Sequence, residues 1–169
     1  ALENAWAALD LCGPFRLGLD LADAMLPLVV DASEQARVHV VAMRASRACG
    51  LRDLEQQHVD AALTAARSAG HRVSEAHAQC FRVSLLADAG CAEEARTAAM
   101  QAVSAAEAAG DPALRCAALN TLGTFLMDHG GGDAARQHYE EALRVARAAG
   151  LAHWEGGILG NLGGLDMDM

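Results

Sequence analysis

The 169-residue sequence contains no lysine, three prolines and only 4% aromatic residues. Each shortage excludes something. A phosphate-binding P-loop needs Gly-x-x-x-x-Gly-Lys-Ser/Thr, so without lysine the run Gly130-Gly131-Gly132-Asp133 reads as a chain reversal, with Asp133 placed to cap the helix that follows. No apolar run approaches the roughly 20 residues that a membrane-spanning helix requires. The longest, Ala24 to Val30, is interrupted by Pro27. Basic residues are outnumbered, 13 against 22 acidic, and the net charge of −9 removes any electrostatic basis for binding nucleic acid or anionic lipid. The five cysteines (Cys12, Cys49, Cys80, Cys91 and Cys116) are odd in number and never in a Cys-x-x-Cys pair, which argues against a disulfide framework or a structural zinc site. A reducing cytoplasm is the compartment they fit. The N-terminal run Ala1 to Leu9 is helix-like and has no basic region or cleavage pattern of a secretory signal.

What is abundant is alanine, 39 residues of it, in a chain that is 53% hydrophobic. This small, strongly helix-favouring residue supplies much of the apolar content in place of the bulky Val, Ile and Phe that build sheets. Gly70, Gly110 and Gly150 lie 40 residues apart and each closes a similar alanine-rich run, while Gly50, Gly90 and Gly130 fall midway between them. Each 40-residue period is thus two segments of about 20 residues ending in a glycine, the residue that most easily adopts the left-handed cap of a helix. The pattern predicts helices near 2–11, 14–30, 34–49, 51–69, 73–89, 91–109, 112–129, 132–149 and 151–165. Asp111 followed by Pro112 starts one of them as cap and first-turn residue. Connections this short force neighbours to run antiparallel, and stacked hairpins share a core that one hairpin cannot build alone. The predicted fold class is therefore all-α, an α-solenoid of antiparallel helix pairs. Residues 1–33 form N-terminal helices of a degenerate repeat, and 34–169 form about three 40-residue repeats plus an unpaired final helix.

The best-defined unit reads Leu119-x-x-Leu122-Gly123-x-x-Leu126, then Ala135-x-x-x-Tyr139-x-x-Ala142. It resembles the tetratricopeptide repeat, with Leu119 and Leu126 in place of aromatics and Tyr139 in place of phenylalanine. The next unit repeats Leu159-x-x-Leu162-Gly163 after Trp154, and Ala95, Ala99 and Ala102 supply the second-helix half one period earlier. Gly123, Ala135 and Ala142 are the small residues that allow close helix approach. Upstream the pattern departs: Gln79 and Arg82 stand where Leu119 and Leu122 do, so the 73–89 helix either turns its apolar face toward Cys80, Val83 and Leu86 or leaves the family packing. Val40 and Met43 show the same altered pattern. The long period is similar to the helical arrays of bacterial signal-transducing ATPases and transcription activators, and of kinesin light chains. The resemblance implies a right-handed superhelix with a concave groove. On the last helix, Ile158, Leu162 and Leu165 have no following helix to cover them, so the chain is expected to be part of a longer protein or to be covered there by another molecule.

Reactive constellations are wanting. His77 and Cys80 share a helical face at i, i+3, but two donors make a poor metal site. Glu93-Glu94 lies in a first turn, where it favours the helix dipole, and Glu140 stands four residues before Arg144, as an ion pair requires. No nucleophile, metal or cofactor is expected, and the chain is read as not an enzyme. The resemblance instead places Ala117, Asn120, Thr121, Thr124, Met127 and Asp128 on the groove wall, then Asn161 in the next repeat. His77 and Ser84, and less securely Arg37 and Arg44, occupy analogous positions upstream. Carboxamides such as Asn120 and Asn161 can both donate to and accept from an extended peptide, or simply bond to neighbouring helices. The expected function is a noncatalytic protein-interaction, sensor or scaffold module binding a protein or peptide, within a larger cytoplasmic regulator of transcription or signalling. The alternatives are self-association into a homo-oligomer through uncovered terminal helices, and sensing of a small ligand within the superhelix. Neither nucleic acid nor membrane is an expected partner.

Overall fold

The computed structural model describes residues 15–167. These form α1 (Phe15–Met25), a 3-10 turn (Leu26–Leu28), α2 (Ala32–Ala48), α3 (Arg52–Ala69), α4 (Arg72–Asp88), α5 (Ala92–Ala109), α6 (Pro112–Asp128), α7 (Gly132–Ala148) and α8 (Ala152–Met167). No described residue is in a strand. From α2 onward every helix end lies within two residues of its expected position. The helix expected at 2–11 lies outside the described residues. The one expected over 14–30 stops as an α-helix at Met25, because Pro27 has no N–H to donate and disfavours α geometry in the residue before it.

The glycine series sets the architecture. Gly50, Gly70, Gly90, Gly110, Gly130 and Gly150 all have φ between 65° and 78°, the left-handed region. Around most of them the N–H after the glycine bonds back over six residues, as in Leu51 to Ser46 O (2.9 Å), His71 to Ala66 O (2.8 Å) and Leu151 to Ala146 O (2.9 Å). This Schellman closure satisfies the last carbonyls of one helix and turns the chain directly into the next. Four of the turns are also strapped by an ion pair eight residues apart. Arg47 Nε lies 2.8 Å from Glu55 Oε1, Arg67 Nε 3.3 Å from Glu75 Oε1 and Arg147 Nε 2.7 Å from Glu155 Oε1. At the fourth, the signs are exchanged and Arg115 Nη2 reaches Glu107 Oε1 at 3.2 Å.

Helix starts divide into capped and uncapped. Asp111 caps α6 as expected, accepting from the N–H groups of Ala113 and Leu114, and Asp31 caps α2 through Glu34 N. Asp133 does not cap α7. The helix begins two residues earlier than a cap there would allow, with Gly131 at the cap position, so Asp133 lies in the first turn, where its charge still favours the dipole. Glu140 is likewise not the partner of Arg144, which reaches Glu141 at 3.5 Å, while Glu141 also takes Arg115 at 2.5 Å.

Two compact units divide within α4, one running to Phe81 and the other from Arg82. In the first, Leu19 and Ala22 of α1 pack on Val38, Val41, Ala42 and Ala45 of α2, and α2 pairs with α3. Val40 and Met43 are both buried, so the altered pattern still fills a core. Gln79 stays fully buried at the position equivalent to Leu119, so α4 accepts a polar residue in the core, while of the apolar residues expected to turn inward Val83 is buried and Cys80 and Leu86 are half-buried. In the second unit α6, α7 and α8 enclose Cys116, Leu119, Tyr139, Leu143, Ile158 and Leu165. The final-helix stripe is therefore not uncovered as expected. Ile158 and Leu165 face inward with Trp154 and Leu162 packed beside them, because positions four and seven residues apart share one helical face, and it is Leu159, 44% exposed, that points away.

Candidate functional site

Along α6 the residues successive in sequence rotate by about 100° each, so Asn120, Thr121, Thr124, Phe125 and Asp128 form one stripe. Opposite them, Val83, Ser84, Ala87 and Asp88 form the last turn and a half of α4. Both helices also border Ala95, Ala98 and Ala99 of α5, whose small side chains bring Val83, Leu122 and Phe125 into one core cluster. Between the two stripes lies a cleft of about 340 Å³, whose lining also includes His129. Its floor is apolar, from Val83, Ala87 and Phe125, and its rim is polar.

Of the residues expected on the groove wall, Ser84, Asn120, Thr121, Thr124 and Asp128 line this cleft together. Asn161 does not. Its Nδ2 donates to Asn120 Oδ1 at 2.7 Å, so the two carboxamides bond between α8 and α6, and Asn120 keeps its own N–H groups for another acceptor. Met127 is a correction: it packs against the cluster around Leu119 and Tyr139, because its place on the helix is rotated away from the centre of the stripe toward α8. Ala117 contributes a carbonyl, which accepts from Thr121 Oγ1 at 2.9 Å. His77 belongs to the first unit, where its Nδ1 lies 3.4 Å from Arg44 Nη2. Arg37 lies 3.7 Å from Glu34 on its own helix.

Several lining groups are held by bonds that point out of the cleft. Thr124 Oγ1 shares a 3.0 Å hydrogen bond with the hydroxyl of Tyr139, a fully buried side chain whose pKa is raised by that burial. His129 stacks on Phe125 at 4.3 Å between ring centroids, and its Nδ1 is 2.8 Å from Phe125 O. Asp88, His129 and the apolar floor were absent from the sequence expectation. The 40-residue period does hold a signal for Asp88, since it stands one period before Asp128 and, like it, ends its helix.

A second polar cluster lies in the first unit. His39 Nδ1 and His58 Nδ1 are 3.1 Å apart between α2 and α3, and His58 Nε2 is buried without a hydrogen-bond partner. Burial, and then the neighbouring His58, lowers the His39 pKa to about 4. Burial also lowers that of His58, with Asp23 acting in the opposite sense. Among the described residues no three His, Cys, Asp or Glu side chains converge as metal ligands, and no helix is long and apolar enough to cross a membrane. Cys49, Cys80, Cys91 and Cys116 form no disulfide among the described residues, and burial raises the pKa of Cys116.

No family model matches the chain, and no curated protein matches it. Among solved structures it is similar to a signal transduction ATPase with numerous domains (STAND) protein from Pyrococcus horikoshii, described as having a tetratricopeptide repeat sensor. The TM-score is 0.75 at 15% sequence identity over 92% of this chain, which spans 24% of that protein's length. At that identity the likeness establishes the fold, an all-α solenoid of paired helices resembling tetratricopeptide repeats.

Proposed function

We propose that the chain is a noncatalytic protein-interaction or sensor module of a larger cytoplasmic regulator, and that the cleft between α4 and α6 takes an extended peptide segment of a partner. The observation that carries this reading is the convergence of Ser84, Asn120, Thr121, Thr124 and Asp128 on one cleft with an apolar floor. A polar rim over an apolar floor is what a segment with both a backbone and side chains to bury requires. The cleft volume of about 340 Å³ is near the lower end of the range for pockets that bury a small ligand, roughly 300–1,000 Å³. It suits one anchoring side chain and its adjoining backbone. The fold neighbour's sensor description is in keeping with this role.

Short random peptides displayed and selected against the full chain test the reading. Asn120→Ala and Thr121→Val remove two rim groups without touching the floor. Each is expected to weaken the selected peptides by about fivefold, the worth of roughly one hydrogen bond. Unchanged affinity with intact helicity in both variants would remove the cleft from the site. Self-association retains a narrower footing: Leu159 is 44% exposed where its repeat equivalent Leu119 is 1%. Sedimentation velocity across a concentration series decides it, and a strict monomer defeats it.

A further inference from the structure

We propose that the outward face of α8, formed by Gly156, Leu159 and Gly163, is the seat of an amphipathic helix from a partner protein, built like α7 and carrying an aromatic ring that lies over Gly163. This surface is separate from the α4–α6 cleft, and nothing in it depends on what the cleft binds.

The second unit contains its own precedent for the contact. One 40-residue period earlier, Cys116, Leu119 and Gly123 stand on α6 where Gly156, Leu159 and Gly163 stand on α8. Those three are buried, because α7 lies on them. Cys116 Sγ donates to Ala142 O at 3.5 Å, and Leu119 shares a cluster with Tyr139 and Ala142. The Tyr139 ring fills the space at Gly123, with its Cε1 2.6 Å from where a Cβ would be. On α8 the same three positions are exposed, and a Cβ on Gly156 or Gly163 meets nothing within 4 Å. The inward stripe of α8, Ile158 and Leu165, is already covered. What the described residues lack is therefore the counterpart of α7 on the other face.

The chemistry of the occupant follows from that face. Residues 156–165 carry no charge, and the acidic residues on either side are engaged, Glu155 with Arg147 at 2.7 Å and Asp166 with Arg136 at 2.5 Å. An incoming helix thus meets apolar surface and must bring the same. Glycine inside a helix is costly relative to alanine, yet α8 holds five glycines, and no neighbour within the chain uses the room at Gly156, Gly160 or Gly163. Room of that kind lets a second helix approach to an axis separation of about 8 Å, the lower end of the packing range. A second copy of the chain would not supply the ring. Among the described residues Phe15, Phe81, Phe125, Tyr139 and Trp154 are each packed against their own chain. The face of a second α8 would offer only Leu159 between glycines.

The probe is a helix-stapled peptide with the sequence of residues 131–149. Glu141→Gln in the peptide removes a carboxylate that would face Glu155, which stands where Arg115 does one period earlier. Saturable binding to the full 169-residue chain is expected, with amide shifts at Gly156, Leu159 and Gly163. Tyr139→Ala in the peptide should weaken it about tenfold or more, as loss of an aromatic anchor does. Gly163→Ala in the protein should weaken it by a similar factor through overpacking, while raising the melting temperature of the free chain. Gly157→Ala brings the same gain in helix propensity about 120° around the helix and should leave binding within about twofold. The absence of saturable binding would overturn the proposal, as would equal affinity for the Tyr139→Ala peptide or equal effects of Gly163→Ala and Gly157→Ala. Shifts confined to α6 would mean exchange with the chain's own α7 and would overturn it too. A dimer in sedimentation velocity that Leu159→Ser dissolves would put a second copy on the face in place of a partner. Each of these failures leaves the reading of the cleft untouched, because no residue of the α8 face lines it.

Discussion

His39 and His58 share a single hydrogen bond between Nδ1 atoms 3.1 Å apart, which requires one ring to donate and the other to accept. The accepting ring must then be neutral, the two rings cannot both be charged and keep the bond, and burial disfavours the charge that acid would add to either. The unfolded chain has no such constraint and its histidines protonate near pH 6.5. Below that pH the unfolded state binds more protons than the folded one, so stability falls as pH falls, until His39 itself titrates at about 4. Each histidine contributes a slope of at most about 1.4 kcal/mol per pH unit. We expect the melting temperature to drop between pH 6.5 and 5, above the range where most carboxylates titrate, and His39→Gln to flatten that drop. An equal drop in His39→Gln would show that the pair is not its source. Little of this was legible in the sequence. His39 stands one period before Gln79 and two before Leu119, yet only the packed structure shows that it meets a second histidine 19 residues away.

At the scale of helices, the contact of α6 with α7 turns on one missing atom. A Cβ on Gly123 would lie 2.6 Å from Tyr139 Cε1 and 2.8 Å from Cδ1, and Tyr139 is fully buried with its hydroxyl held by Thr124, so the ring cannot simply move aside. Gly163 occupies the equivalent place on α8, and a Cβ there meets nothing within 4 Å. The same substitution should therefore have opposite signs. Gly163→Ala gains about 0.5–1 kcal/mol of helix propensity. Gly123→Ala gains that and loses about 1–3 kcal/mol to overpacking, a net destabilisation. Thermal or urea melting of the two variants checks both, and stabilisation by Gly123→Ala would contradict the packing described. Helices were the most legible level, because a glycine every 20 residues marks each end and needs φ near +70° there. Local chemistry was read less well where two signals compete. Asp133 has the right residue type for a cap, but the glycines before it let the helix start earlier. The ion pairs strapping the turns, such as Arg47 with Glu55, were open to reading from their eight-residue spacing and went unread, because pairing arguments within one helix stop at four.

For the molecule as a whole, the proposed binding surface lies within one of its two units, since every residue of the cleft falls between Val83 and His129. The repeat register brought Asn120, Thr121, Thr124 and Asp128 to one face, where they line one cleft, but left out the floor and Asp88 because the register says which face a residue is on and not how deep it lies. Met127 was misplaced for the same reason, at the border between the cleft and the α8 contact. The expectation of an uncovered last helix failed because α7 and α6 already take its apolar stripe.

The central claim, that the α4–α6 cleft is where a partner peptide binds, is tested most directly by nuclear magnetic resonance. A selected peptide would be titrated into isotopically labelled protein while backbone and side-chain amide shifts are followed. The account predicts saturable shifts concentrated at Ser84, Asp88, Asn120, Thr121, Asp128 and His129, including the side-chain amide of Asn120. Shifts gathered instead on the outer face of α8 around Leu159, or in the helices of the first unit, with these residues unmoved, would contradict it.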